Sequence, residues 1–136
     1  SILRAVHFIE ENERVENEVN ALISGNIDEF SRLVSKSGDS SYKYLQNIYS
    51  TKDTANQGVS LGLMMSEIFL GDNGSYSNGA YSNGVCRVHG GGFAGTILAI
   101  VKDNAVDEYR RNMNKIFGDG ASMILQIRHC GGVRII

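Results

Sequence analysis

The chain of 136 residues has no proline, where average usage of about 5% would place several. Proline fixes φ and removes a backbone donor, so its absence fits long unbroken helices and short ordered turns. No apolar run approaches the roughly 18 residues a bilayer-crossing helix needs, and nothing at the N-terminus is laid out as a signal peptide. No membrane partner is therefore expected, and the cytoplasm is the default compartment. Charge of either sign is not in excess: 13 basic against 15 acidic residues give a net charge of −2 with no basic block, which argues against nucleic acid as a partner. Cysteine is scarce, and the loose pair Cys86 and Cys130 reads as two reduced, buried thiols rather than a disulfide. An initiator Met is missing as well. The chain opens on Ser1 and is at once in helical rhythm, so residues 1–136 read as a single domain that is a cut piece of something longer, with a 42% hydrophobic content sufficient for one packed core.

What is present divides into helices first and strands later. From Leu3 to Ser24, residues Ala5, Phe8, Asn12, Val15, Val19 and Leu22 recur at alternating spacings of three and four, one face of a helix, which predicts that this face is the buried one. The glutamates Glu10, Glu11, Glu13, Glu16 and Glu18 fall mostly off it and read as a solvated surface. Gly25 can end this helix, and Asn26 with Glu29 three residues on can cap a second, antiparallel to the first. The run Ser35 to Ser41 is expected to be a polar hinge, and Ser50-Thr51-Lys52-Asp53 to open a third helix reaching Leu70 with Val59, Leu63 and Met64 in its core. Gly58 and Gly62 suit close helix packing. The tetrad Tyr-Ser-Asn-Gly occurs at Tyr76 and again at Tyr81, and Asn-Gly favours tight turns; no Gly-Lys-Ser or Gly-Lys-Thr follows, so this is not a P-loop.

The centre of the chain is Cys86-Arg87-Val88-His89-Gly90-Gly91-Gly92-Phe93-Ala94-Gly95-Thr96, followed by the apolar run Ile97 to Val101. It reads as strand, glycine turn, strand, with Val85–His89 pairing antiparallel to Thr96–Val101. Four glycines in six residues either bend the chain sharply or let another backbone or a phosphate approach closely. Further on, a helix with Val106, Tyr109, Met113, Ile116 and Phe117 on one face is expected to end at Gly118 and Gly120. Met123, Leu125 and Ile127 then alternate as a half-buried strand of the same sheet. The order makes an α+β domain, an antiparallel sheet covered by helices.

The segment Arg87, Gly90, Gly92, Phe93, Gly95 resembles the C-terminal signature of the GHMP kinases, most closely of galactokinases, with Ala94 where the family usually has glycine and His89 where threonine is common. Upstream, Ala5, His7, Phe8 and Glu10 opening a long helix, then Gly25-Asn26-Ile27 with Phe30 and a serine cluster, are similar to the same family in the same order. The resemblance implies a ferredoxin-like sheet with an added helical layer. It implies the C-terminal domain of a sugar kinase that, complete, uses ATP and Mg2+ to phosphorylate galactose, or a related sugar, at the anomeric hydroxyl. The family's phosphate-binding loop and catalytic aspartate belong to the N-terminal half and are absent here. No catalytic residue is thus expected in this chain, which alone should be inactive and bind no cofactor tightly; its partner would be the N-terminal kinase domain of the same polypeptide. Gly90, Gly91, Gly92, Phe93 and Gly95 would line the cleft beside nucleotide and sugar, and Arg87 would support them or sit in a salt bridge. A non-catalytic sugar-sensing or interaction module is the alternative.

Other chemistries find less support. A zinc site can be drawn from Cys86, His89, His129 and Cys130, but on a strand the members of each pair point to opposite faces, so no metal site is expected. No Gly-x-Ser-x-Gly elbow exposes a serine nucleophile.

Overall fold

The computed structural model describes residues 1–71, 76–77, 80–93, 95–127, 129 and 131. Helix α1 spans Ile2–Ile23 and α2 spans Ile27–Ser40. Gly25 turns the chain between them at φ +70°, and Asn26 caps α2 by accepting the Glu29 N–H at 3.1 Å, as the Asn-x-x-Glu spacing predicts. His7 reaches Ser40 and Glu11 reaches Ser37, so the contacts step backwards along α2 and the helices run antiparallel.

Helix α2 does not stop at the expected hinge. It continues through Ser40 and widens into a π-type turn over Ser41–Leu45, ended by Gln46 at φ +55°. The serines that read as loop are buried: Ser37, Ser40 and Ser41 face the interior, where Ser37 and Ser40 bond side chains of α1. Gly38 has a packing role, since a Cβ there would stand 2.9 Å from the Cβ of Arg87. A composition suited to a hinge is here a close-packed helix face.

Helix α3, Gly58–Leu70, starts later than the Ser50 capping signal suggests. Ser50 and Asp53 cap turns instead: Ser50 Oγ accepts the Lys52 N–H at 3.2 Å and Asp53 Oδ1 the Asn56 N–H at 3.3 Å. Val59 is buried and Leu63 partly so, but Met64 is exposed. Gly62 packs as expected of a small residue, its Cβ position 3.6 Å from Ile97 and 3.9 Å from Phe117, whereas Gly58 meets nothing closer than the Asn56 side chain at 3.7 Å.

Four antiparallel strands follow in spatial order: β1 Tyr76–Ser77, β2 Ala80–Tyr81, β3 Gly84–Val88 and β4 Ile97–Val101. Each tyrosine that opens a Tyr-Ser-Asn-Gly tetrad sits on a strand, with Tyr76 opposite Tyr81 and Tyr81 opposite Gly84. In the main hairpin the register runs from Gly84 opposite Val101 to Val88 opposite Ile97, and His89 N–H bonds Thr96 O at 3.1 Å, extending the ladder to the limits read from the sequence. A short 3-10 turn, Asp103–Ala105, leads into α4, Val106–Phe117.

The hairpin forms the middle layer. Cys86 and Val88 point to one side, Cys86 into a cluster with Leu70, Tyr109 and Met113 and Val88 into one with Ile48 and Val59. Arg87, between them in sequence, points to the other side, toward α1 and α2, as strand alternation requires. Within the first cluster Ser66 gives its proton to the Gly62 carbonyl at 2.7 Å, which leaves the Tyr109 hydroxyl, also 2.7 Å from Ser66 Oγ, to act as donor.

Two apolar surfaces are not where the pattern predicts. The 3–4 stripe of α1 faces outward: Phe8 is 67% exposed, and Val15, Val19 and Leu22 are exposed with it. The helix instead turns His7, Glu11, Arg14, Glu18 and Ala21 inward. Likewise Met123–Ile127 lies outside the sheet, without regular structure and with Ile127 98% exposed, because no described element covers its apolar positions.

Candidate functional site at the glycine turn

The turn between β3 and β4 is held from below by one residue that sequence reasoning missed. Asn47 is 2% exposed and sits just past the left-handed Gln46. Its carbonyl oxygen accepts the Phe93 N–H at 2.8 Å, and its side-chain nitrogen donates to Ser41 Oγ at 3.0 Å and to Gly91 O at 3.3 Å. The local cue was the polar pair Gln46-Asn47 between Leu45 and Ile48; Ser41 is six residues away, but the partners in the turn lie 44 residues or more away, which no local pattern reveals.

Asn47 also explains one of the glycines. Gly92 has φ +73°, and a Cβ on it would fall 2.8 Å from the Asn47 Cβ and closer still to its carbonyl oxygen, so the protein's own backbone demands glycine there. Gly91 is different. Its φ is not in the left-handed region, and nothing lies within 4 Å of its Cβ position. Among the described residues no backbone or side-chain acceptor takes the N–H of Gly90 or Gly91, and both face solvent. Phe93 is held at φ +53° with its ring 62% exposed; Ala94, the expected departure from the family pattern, lies outside the described residues.

Beside the turn is a cavity of about 590 Å³. Val59, Ile97, Met113 and Phe117 give it an apolar floor, while Phe93, Gly95 and Thr96 contribute from the turn, and Ser50, Asp53, Asn56 and Ser122 supply polar groups. That is the make-up of a small-molecule site, apolar with a few polar groups. The structure thus brings Phe93 and Gly95 to the cavity.

Arg87 is not among them. It points across β3 to an ionic cluster in which it bonds Ser37 and lies 3.5 Å from Glu11, while Arg14 pairs with the same carboxylate. Burial alone would raise the Glu11 carboxyl, but the Ser37 hydroxyl, Arg14 and Arg87 outweigh it and hold it below the usual carboxylate range. Glu18, two turns beyond Glu11, is raised by burial and by the Glu11 charge, and its Oε1 is buried with no hydrogen-bond partner among the described residues. The salt-bridge reading of Arg87 is the one the geometry supports. Cys86 is equally remote from the turn: burial, with a smaller push from Glu67, raises its thiol to about 12. Among the described residues no group of three His, Cys, Asp or Glu side chains is placed to hold a metal ion, and no helix is long and apolar enough to cross a membrane.

Comparison with known proteins finds galactokinases. The chain is 32% identical over 118 residues to a galactokinase of Limosilactobacillus reuteri (strain DSM 20016), the match taking in 87% of this chain and 26% of that protein. It is also 32% identical over 118 residues to a galactokinase of Clostridium perfringens (strain SM101 / Type A), across 85% of this chain and 25% of that protein. No family model matches, and no solved structure matches. The chain is related to galactokinases over nearly all its length, and it spans about a quarter of the length of the curated relatives it matches.

Proposed function

We propose that this chain is the C-terminal part of a galactokinase-type sugar kinase. Joined to an N-terminal domain, it transfers the γ-phosphate of ATP to the anomeric hydroxyl of galactose or a related sugar. In this reading α3, β3, β4 and α4 are the centre of a ferredoxin-like unit, α1 and α2 are the added helical layer, and the protein works in the cytoplasm.

The observation that carries the role of the turn is Gly91. Nothing among the described residues requires glycine at that position, while the turn around it is fastened by Asn47 and its Gly90 and Gly91, both exposed, have amide N–H groups with no acceptor among the described residues. Phosphoryl transfer depends on positioning and on neutralising charge more than on covalent chemistry. A rigid turn without side chains suits that task, because it lets phosphate oxygens come to backbone donors at hydrogen-bond distance. ATP would meet Gly90 and Gly91 on this wall, and the apolar cavity behind Phe93 would exclude water from one side. Among the described residues no lysine or arginine lines the cavity, and in this reading the positive charge a nucleotide needs, like the Mg2+ ligands and the catalytic carboxylate, would come from the rest of the polypeptide. The isolated chain should accordingly lack kinase activity.

The test is a chimera in which this chain replaces the matching stretch of the Limosilactobacillus reuteri galactokinase. With Gly91→Ala, an unchanged melting temperature and a fall of about tenfold or more in galactose phosphorylation would support the reading. Full activity at unchanged melting would discard the role of the turn. Galactose binding without phosphorylation by the unsubstituted chimera would favour a sensor.

A further inference from the structure

Helix α1 carries two seams of opposite character. The inner one, His7, Glu11, Arg14, Glu18 and Ala21, is engaged: His7 bonds Ser40 at 2.9 Å, Glu11 bonds Ser37 and pairs with Arg14 and Arg87, and Ala21 is buried. Turning the helix to bury its apolar side would break every one of these contacts, so its orientation is set. The outer seam, Ala5, Phe8, Asn12, Val15, Val19 and Leu22, keeps a strict 3–4 spacing along a helix about 33 Å long and faces solvent throughout, flanked by the exposed Ile9 and Ile23. An apolar strip of that length, interrupted only at Asn12, is unusual for a free surface and marks a contact.

We propose that this outer seam is the seat of the remainder of a galactokinase-length polypeptide, which lays an apolar helical face along it. The inference rests on the reading of the chain as part of such a kinase. Two observations single out this occupant. About three quarters of each matched relative lies outside the aligned stretch, so a polypeptide of that length has ample surface to cover the strip. The alternating spacing, with Asn12 as its single polar member, is the pattern that meshes with another helix and sets its register. No residue of α1 is among those lining the cavity at the glycine turn, so this contact is separate from it.

The experiment compares Phe8→Ser and Val19→Ser in two settings, the 136-residue chain alone and the chimera with the Limosilactobacillus reuteri enzyme. In the chain alone both residues are exposed, so melting should stay within about 1 °C and the protein should sediment as a monomer. In the chimera each substitution should lower melting by about 3 °C or more, and Val19→Ile should restore it. Equal melting of substituted and unsubstituted chimeras overturns the proposal, as does a dimer of the isolated chain that the substitutions dissociate, since a second copy would then own the seam. Should the chimera fail to fold, the part of the Limosilactobacillus reuteri enzyme outside the match, expressed as a separate polypeptide, is mixed with the chain. Capture by the unsubstituted chain and loss of capture on Phe8→Ser supports the proposal; no capture overturns it. The two readings fail separately. A chimera that phosphorylates galactose but ignores the substitutions sinks the docking seam alone, and one that is destabilised by them yet never phosphorylates sinks the kinase function alone.

Discussion

Phe93 donates its backbone N–H to the carbonyl oxygen of Asn47 at 2.8 Å, and this bond, with the Asn47 side chain on Gly91 O, fastens the glycine turn to the end of the π-type turn after α2. The turn is therefore built from two distant parts of the chain, and its glycines have different reasons to be glycine.

The first prediction separates them. In the isolated chain, Gly92→Ala should cost about 2 kcal/mol or more, because it adds left-handed strain to an overlap with Asn47. Gly91→Ala should change stability by no more than about 0.5 kcal/mol, having an ordinary φ and open space. Urea denaturation of the two variants decides it; equal losses would mean that the turn is held otherwise than described.

Asn47→Ala should destabilise by about 1–3 kcal/mol, since buried Ser41 and the Gly91 carbonyl, whose bond is partly buried, lose their partner. Its backbone bond to Phe93 survives the substitution, so amide exchange should quicken at Gly91 and Gly92 more than in β3. A loss spread evenly over the domain would contradict the local role.

The ionic cluster gives a pH signature. Glu11 has its carboxyl lowered, so its contribution is present above the unfolded value and fades as pH falls through the folded one; Glu11→Gln should weaken the protein at pH 7 and matter less in acid. Glu18 has its carboxyl raised, so the ionised form is a cost that appears as pH rises through the carboxylate range. Glu18→Gln should strengthen the protein at neutral pH, modestly because the group is partly solvated, and the difference should vanish in acid. Melting curves from pH 3 to 8 would show the two differences with opposite sign.

Cys86 should resist alkylation in the native protein. With its thiol raised to about 12, roughly one molecule in ten thousand carries the thiolate at pH 8, and the side chain lies against Leu70 and Met113. Mass spectrometry of the labelled peptide should find modification only as fast as the domain unfolds; rapid labelling would show the β3 core to be open.

Much of this was legible from residues alone. The hairpin was readable because a β-branched run, four glycines and an apolar run leave a chain few other options; its register, Gly84 opposite Val101 to Val88 opposite Ile97, came only from the structure. The spans of α1 and α4 and the Asn26 cap were readable from the 3.6-residue period and from local side-chain bonding. Each of these depends on neighbours a few residues apart, and local sequence records such neighbours.

Tertiary structure decided the rest. The 3–4 stripe of α1 correctly names residues that share a face, but periodicity says nothing of which neighbour covers that face, and in this chain the polar face won because Ser37, Ser40 and Arg87 were there to satisfy it. Ser35 to Ser41 became helix because hydroxyls that destabilise an exposed helix are stabilising once buried against the partly buried carboxylate of Glu11 and imidazole of His7, which Ser37 and Ser40 bond. Met123–Ile127 alternates like a strand but has no described element to lie against. Asn47 and Gly92 find each other only when α2 has delivered its last turn beneath the hairpin, a meeting of residues 45 positions apart that composition, period and motif cannot express.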